Sequence, residues 1–336
     1  MKEEHALFHP VSIGSLTVDG NLFLAPLAGY TDRSFRSLCV DKGASLTYTE
    51  MVSGEGLARN NGPTKALLRR ADNEQLLAVQ LFMGDAEVIK RSVDNLLAYN
   101  PSAVDINCGC PVPKVVKTGA GSALLKEPQK IYDIVRALKT YTDLPVSVKI
   151  RLGWDSSSIN YDETSDAAID AGVDMICMHA RTRAMGYSGV ADWSALSDLK
   201  KRIHQRSPHI PLFGSGDLFS GEDALAMLKE TQVDGVMFAR GAMGNPYIFE
   251  EAKTLFTNKP YHPPTREAKL EMMLRHLRLL AKDVGEESSC KLMRKHAPGY
   301  LKGLPNASLA RQQLVMSITF EDYERVVQNI LSSSES

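Results

Sequence analysis

Short apolar runs alternate along the chain with stretches whose apolar residues recur at three- and four-residue spacing. The runs predict strands over 21–26, 45–51, 76–82, 104–107, 146–150, 174–179, 210–213 and 235–238. Between them, Thr31 or Asp32 caps a helix running to about Val40. Asp85 caps another, whose apolar positions Val88, Ile89, Val93, Leu96 and Leu97 trace one face. Further helices are expected over 128–140, 161–171, from Trp193 onward, and over 222–229 and 248–255. Eight strands alternating with helices close naturally into a (β/α)₈ TIM barrel of the α/β class, with a doubly wound open sheet as the alternative.

After Leu255 the pattern changes. Pro260, Pro263 and Pro264 break the chain and no strand pattern follows. Helices are expected over 266–284, 289–300 and 309–330. The predicted organisation is a barrel over 1–258 and an all-helical domain over 259–336.

Composition narrows the class. With 43% hydrophobic and 24% charged residues, the chain can bury a core and is neither disordered nor fibrous. Thirty-nine basic residues against 40 acidic ones argue against indiscriminate nucleic-acid binding, though not against a local basic patch. Met1 to Pro10 lack the apolar core of a signal peptide, and no apolar run is long enough to span a bilayer. Five thinly spread cysteines are no disulfide framework, and the expectation is a cytoplasmic monomer without membrane contact.

In a barrel the C-terminal strand ends share one mouth, so polar residues there converge. Those positions are Pro26-Leu27-Ala28, Gln80, Asn107, Cys110, Lys149, Arg151, His179, Arg181, Ser215-Gly216-Asp217 and Ala239-Arg240-Gly241. A lysine within Val-Ser-Val-Lys-Ile is costly unless paired, and a polar ligand explains it better than a snorkelling surface lysine. Glycine-rich turns after the seventh and eighth strands, with Arg240 in the second, suit a phosphorylated cofactor. His179 fits a structural hydrogen bond, but Arg181 and Arg183 immediately after it favour an anionic ligand. Asp192-Trp193 is expected to cap and pack the next helix.

Cys108 and Cys110 form C-x-C with no second pair at zinc-like spacing, so no metal site is expected from them. Cys39, Cys177 and Cys290 are expected to be buried packing. Cys110, before Pro111 at a strand end, is the reactive candidate; spacing leaves open whether it is a nucleophile or a proton donor. Lys291, Arg294, Lys295, Lys302 and Arg311 fall in a window free of Asp and Glu, interleaved with His296 and Tyr300. A solvated helix face would explain the window; attached to a phosphate-binding barrel, a polyanion contact explains it better.

Several motifs together resemble one family. They are 25–32 (APLAGYTD), 105–111 (DINCGCP), 148–151 (VKIR), 179–183 (HARTR) and 214–217 (GSGD). In that order they resemble the motif series of tRNA-dihydrouridine synthases. Lys295-His296 with Tyr300-Leu301-Lys302-Gly303 is similar to the helical-domain motif of the bacterial B-like subgroup. The resemblance implies an FMN barrel that uses NADPH to reduce the C5–C6 bond of a uridine in tRNA, with hydride passing from flavin N5 to C6. It implies FMN contacts from Pro26, Leu27, Ala28, Gln80, Lys149, His179, Ser215, Gly216, Asp217, Ala239 and Arg240. Asn107 would orient flavin and uracil, and Cys110 would be the general acid that protonates C5. Arg181, Arg183, Lys291, Arg294, Lys295 and Lys302 would contact tRNA. Cys108 departs from the family, which more often has a larger apolar residue there. Two other functions fit parts of the sequence: a flavin barrel acting on a small pyrimidine or enoate, and an RNA-binding barrel without catalysis.

Overall fold

The computed structural model describes residues 6–332. Eight parallel strands form the barrel: β1 (Leu22–Leu24), β2 (Leu46–Tyr48), β3 (Leu77–Phe82), β4 (Ala103–Asn107), β5 (Val146–Arg151), β6 (Met175–His179), β7 (Leu212–Ser215) and β8 (Gly235–Phe238). Each pairs with its neighbour in sequence, and β8 returns to β1, so the sheet is closed rather than open. Val52–Ser53 continues the β2 edge against Leu81 and Phe82. The predicted strand over 45–51 is therefore shorter, Leu46–Tyr48, and the second piece begins just past its predicted end.

The two-residue period of the strands sorts the core into two layers. Phe23, Met175, Cys177, Phe213 and Met237 fill the barrel interior, where the Phe23 and Phe213 rings stack at 4.0 Å. Their strand neighbours Leu22, Leu24, Ile176, Met178 and Leu212 face outward against the helices. An antiparallel hairpin, Val11–Ile13 with Leu16–Val18, adds Val11, Ile13 and Val18 to the interior cluster; it has no counterpart in the sequence prediction. The helices over 54–58, 62–67 and 113–116 are likewise additional.

Helix α1 (Arg33–Asp41) follows β1, and Asp32 rather than Thr31 caps it. Its Oδ1 accepts the N–H groups of Ser34 and Phe35, both at 3.0 Å. At the next expected cap, Ala86 occupies the N-cap position, while Asp85 accepts the Glu87 N–H at 2.8 Å. Asp192 and Trp193 behave as predicted: the Asp192 carboxylate accepts the Ser194 N–H, and Trp193 Nε1 donates to the Gly216 carbonyl at 3.1 Å.

Beyond the barrel come α2 (Arg266–Val284), α3 (Glu286–Met293), α4 (Ala297–Tyr300), α5 (Ala307–Met316) and α6 (Phe320–Ser332). They share a separate core, including Leu270, Met273, Met293, Leu314, Tyr323 and Ile330, joined by Leu38 of α1. Arg33 Nε donates to Asp283 at 2.7 Å across the junction, and Arg275 pairs with Asp41. Two predicted helices are corrected. The one over 289–300 begins after Gly285, whose φ of +79° ends α2, and it is interrupted before Ala297. The one over 309–330 breaks at Ser317, because Asp322 accepts the Ile318 and Thr319 N–H groups while the Thr319 hydroxyl accepts the Asp322 N–H. That reciprocal capping starts a new helix. Among the described residues no helix is long and apolar enough to cross a membrane.

Candidate active site

Strand register brings the polar residues to one level. Asn107 pairs with Lys149, and His179 pairs with both Arg151 and Ser215. At the C-terminal strand ends they surround a cavity of about 400 Å³, within the range of small-ligand and cofactor sites. Of the predicted residues, Pro26, Leu27, Ala28, Asn107, Cys110, Lys149, His179, Ser215, Gly216, Asp217, Ala239 and Arg240 line it.

Gln80 does not line the cavity. It lies beneath it, fully buried, donating to Asp105 Oδ2 at 2.7 Å and accepting from Asn107 Nδ2 at 2.8 Å. Asp105 also accepts the Ser147 hydroxyl at 2.6 Å. Burial pushes its carboxyl up to about 7, against the pull of those two hydrogen bonds and of Lys149. Arg181 is also buried and committed to the protein: its guanidinium holds both Asp217 oxygens, at 2.8 and 2.7 Å, and donates to the carbonyls of Ser188 and Gly189. Arg183 lies 4.3 Å from the Trp154 ring centroid, outside the cavity. Lys291 is exposed and pairs with Glu287 at 2.6 Å, and Arg294 reaches the Ser317 carbonyl. Lys295 stands 5.7 Å over the Tyr30 ring at the cavity rim. Lys302 lines a smaller adjoining cleft with Lys269, Tyr247, Phe219 and Arg240. The basic window is thus spread over α3, the segments flanking α4, and α5 rather than presented on one helix face.

Asn107 builds the loop that carries the thiol. Its Oδ1 accepts the N–H of Gly109 at 3.1 Å and of Cys110 at 2.9 Å. Arg151 fastens the same loop by donating to the Gly109 carbonyl at 2.8 Å, a role absent from the sequence prediction although its strand-end position was visible. Tyr187 was missed too; its ring stacks under the Arg240 guanidinium at 4.5 Å. Nothing in a single tyrosine within a loop could have signalled that.

Burial pushes the Cys110 thiol above its ordinary range, outweighing the Val112 backbone N–H and the nearby Arg151 cation. The group in the cavity at neutral pH is therefore a thiol, suited to give a proton. The other four cysteines are buried and unpaired by disulfides. His179 is neutral, since burial and then the cations Lys149, Arg151, Arg181 and Arg240 push it far below its usual value. The Asp217 carboxyl is raised by burial but more strongly lowered by the Ala191 N–H, Arg181 and Arg240. The Lys149 side chain faces the cavity, and among the described residues its Nζ has no hydrogen-bond or ion-pair partner.

The Dihydrouridine synthase (Dus) family model matches residues 23–334. The chain belongs to the dihydrouridine synthase family. A protein of Treponema pallidum (strain Nichols) described as "Probable tRNA-dihydrouridine synthase" is 46% identical, over 97% of this chain and 98% of its own. The "tRNA-dihydrouridine synthase B" of Pseudomonas syringae pv. tomato is 34% identical, over 95% of this chain and 93% of its own. Two solved structures share the fold. The old yellow enzyme homologue of Zymomonas mobilis aligns at TM-score 0.52 and 14% identity, covering 78% of this chain and 96% of that one. A 2-naphthoyl-CoA reductase complex aligns at 0.57 and 9%, covering 76% of this chain and 52% of that one. As a dihydrouridine synthase the chain is an oxidoreductase on a TIM barrel, and the cavity described above is its candidate active site.

Proposed function

We propose that this chain is a tRNA-dihydrouridine synthase that reduces the C5–C6 bond of a uridine in tRNA, with FMN as cofactor and NADPH as reductant. The observation that carries the reading is the protonated Cys110 thiol facing the same cavity as the unpaired Lys149 ammonium. The cavity also fits a flavin phosphate by its own donors. Arg240 stands at the rim, Ser215 offers a hydroxyl, and the Gly216 backbone has a φ of +118°, where a Cβ would sit 3.0 Å from His179 Cδ2. Lys149, Ser215, Gly216, Ala239 and Arg240 would hold the cofactor, with neutral His179 as a hydrogen-bonding wall that adds no charge.

When bound, reduced FMN would supply the hydride that reaches C6 of the uracil. The protein's own residues do the rest. Asn107 keeps its amide oriented through Gln80 and places the Cys110 loop against the ring. Lys149 stabilises the negative charge that develops toward the uracil carbonyl. Cys110 Sγ gives its proton to C5 and must be reprotonated from solvent between turnovers. A uridine within folded RNA has to leave its stack to enter a cavity of this depth. The helical part, 259–336, would grip the phosphates around it, with Lys295 and Lys302 nearest the mouth. We place the enzyme in the cytoplasm with its substrate, acting as a monomer.

The test is direct. Purified protein incubated with NADPH and unmodified tRNA should be yellow and should form dihydrouridine at a defined position. Mapping tRNA from cells with and without the gene should show the same position lost. Reduction of a free pyrimidine or enoate with tRNA left unmodified would overturn the proposal.

A further inference from the structure

Away from the catalytic cavity, three ligand-type side chains meet where the barrel touches the helical part. Asp32 caps α1, His276 lies in the middle of α2, and His296 precedes α4. One donor atom from each lies within 4.8 Å of the others, and His296 Nε2 stands 3.8 Å from Asp32 Oδ2. Both imidazoles are fully buried.

Their hydrogen bonding is incomplete in an informative way. His276 Nδ1 is 3.1 Å from the Tyr300 hydroxyl, which fixes one side of that ring. His276 Nε2 and both nitrogens of His296 have no hydrogen-bond partner among the described residues. The rings around them are aromatic: Phe35 packs on both imidazoles, at 5.6 and 5.4 Å, and Tyr30 meets His296 edge-on at 5.2 Å. Buried polar atoms are normally satisfied, so three orphaned ring nitrogens beside a carboxylate need an explanation.

We infer that Asp32, His276 and His296 form a binding site for a divalent transition-metal ion of the zinc class. Two imidazoles and a carboxylate are a familiar donor set for such an ion and leave a fourth position open. Ligand atoms on tetrahedral zinc stand about 3.3 Å apart, so the cluster needs to contract by only a fraction of an ångström to about one and a half. The Tyr300 contact to His276 Nδ1 is the outer-shell support that metal-bound histidines usually have. Lys295 is the cation a bound ion must tolerate, and Glu50, held by the Gly29 N–H, lies on the same side to offset it. The sequence could not show the cluster, since its members come from three separated elements. An ion there would tie α1 to α2 and α4 and clamp the helical part to the barrel two residues from Tyr30 of the cavity.

The test uses the full chain, stripped with a chelator, dialysed and titrated with Co²⁺ and Zn²⁺. One equivalent of Co²⁺ should give the visible bands of a four-coordinate ion, beyond the wavelengths a flavin absorbs; Zn²⁺ should bleach them and raise the melting temperature. Asp32→Asn keeps an oxygen for the α1 cap but loses the charged ligand. It should weaken binding at least about tenfold, the smallest loss seen when even an outer-shell partner of a metal ligand is removed. His276→Gln should do the same, whereas His204→Gln, exposed on the helix Trp193–Arg206, should change nothing. Absence of a stoichiometric band in the wild type, or equal affinity in Asp32→Asn, overturns the inference even if His276→Gln fails to fold.

Discussion

The amide oxygen of Asn107 accepts the backbone N–H of Cys110 at 2.9 Å, so the residue at the end of β4 sets the position of the thiol three residues later. Its amide nitrogen is held in turn by Gln80, and Gln80 by Asp105. The thiol-bearing loop is thereby tied to the barrel interior.

Replacing Asn107 by Ala should therefore damage catalysis more than folding. Misplacing a reacting group by about 1 Å can cost on the order of 10²-fold in rate. Single-turnover dihydrouridine formation should fall by roughly that factor, with an unchanged circular dichroism spectrum and an intact NADPH reaction. A variant as fast as the wild type would detach Cys110 from this support.

Asp105 gives a pH signature. Its folded pKa is raised to about 7 from an ordinary value of 3.8, so the folded protein keeps a proton that the unfolded chain releases. Its contribution to stability is therefore fully present below about pH 3.8 and is lost as pH rises toward about 7. Asp105→Asn removes that loss. The variant's melting temperature, relative to wild type, should rise steadily between those pH values and level off above them. A constant difference across the range would contradict the raised carboxyl.

Gly216 allows the chain to pass close to His179. With φ at +118° and a Cβ placed 2.9 Å from Ala191 Cβ, alanine there is strained and pushes on the cavity wall. Gly216→Ala should retain less flavin after purification, read from the ratio of flavin to protein absorbance, while Gly172→Ala, a positive-φ site with open space around it, should retain as much as wild type.

Much of this was legible in the sequence because barrel strands are short, apolar and regularly spaced. Asn107 and His179 sit where a polar residue ends such a run, and register then brings both to the same mouth. Gln80 could not be placed the same way. It lies opposite Asp105, inside β3 rather than at its end, and only the register shows that the two bind each other. Arg181 looked free to meet an anion because its partner Asp217 is 36 residues away. Lys291 has its partner four residues back, at Glu287, just outside the window that defined the basic patch. The break before α6 was written in the sequence: Thr319 and Asp322 have the spacing of a capping box, but the apolar positions on either side concealed it.

The central claim is that Cys110 gives the proton to C5. Cys110→Ala, loaded with flavin and reduced by NADPH, should be mixed with unmodified tRNA under anaerobic conditions while flavin reoxidation and dihydrouridine are followed together. The account predicts a yellow protein that NADPH reduces at the wild-type rate, with dihydrouridine formation slowed about 10²- to 10⁴-fold, the usual contribution of a positioned general acid. Dihydrouridine formed at the wild-type rate by that variant would contradict it.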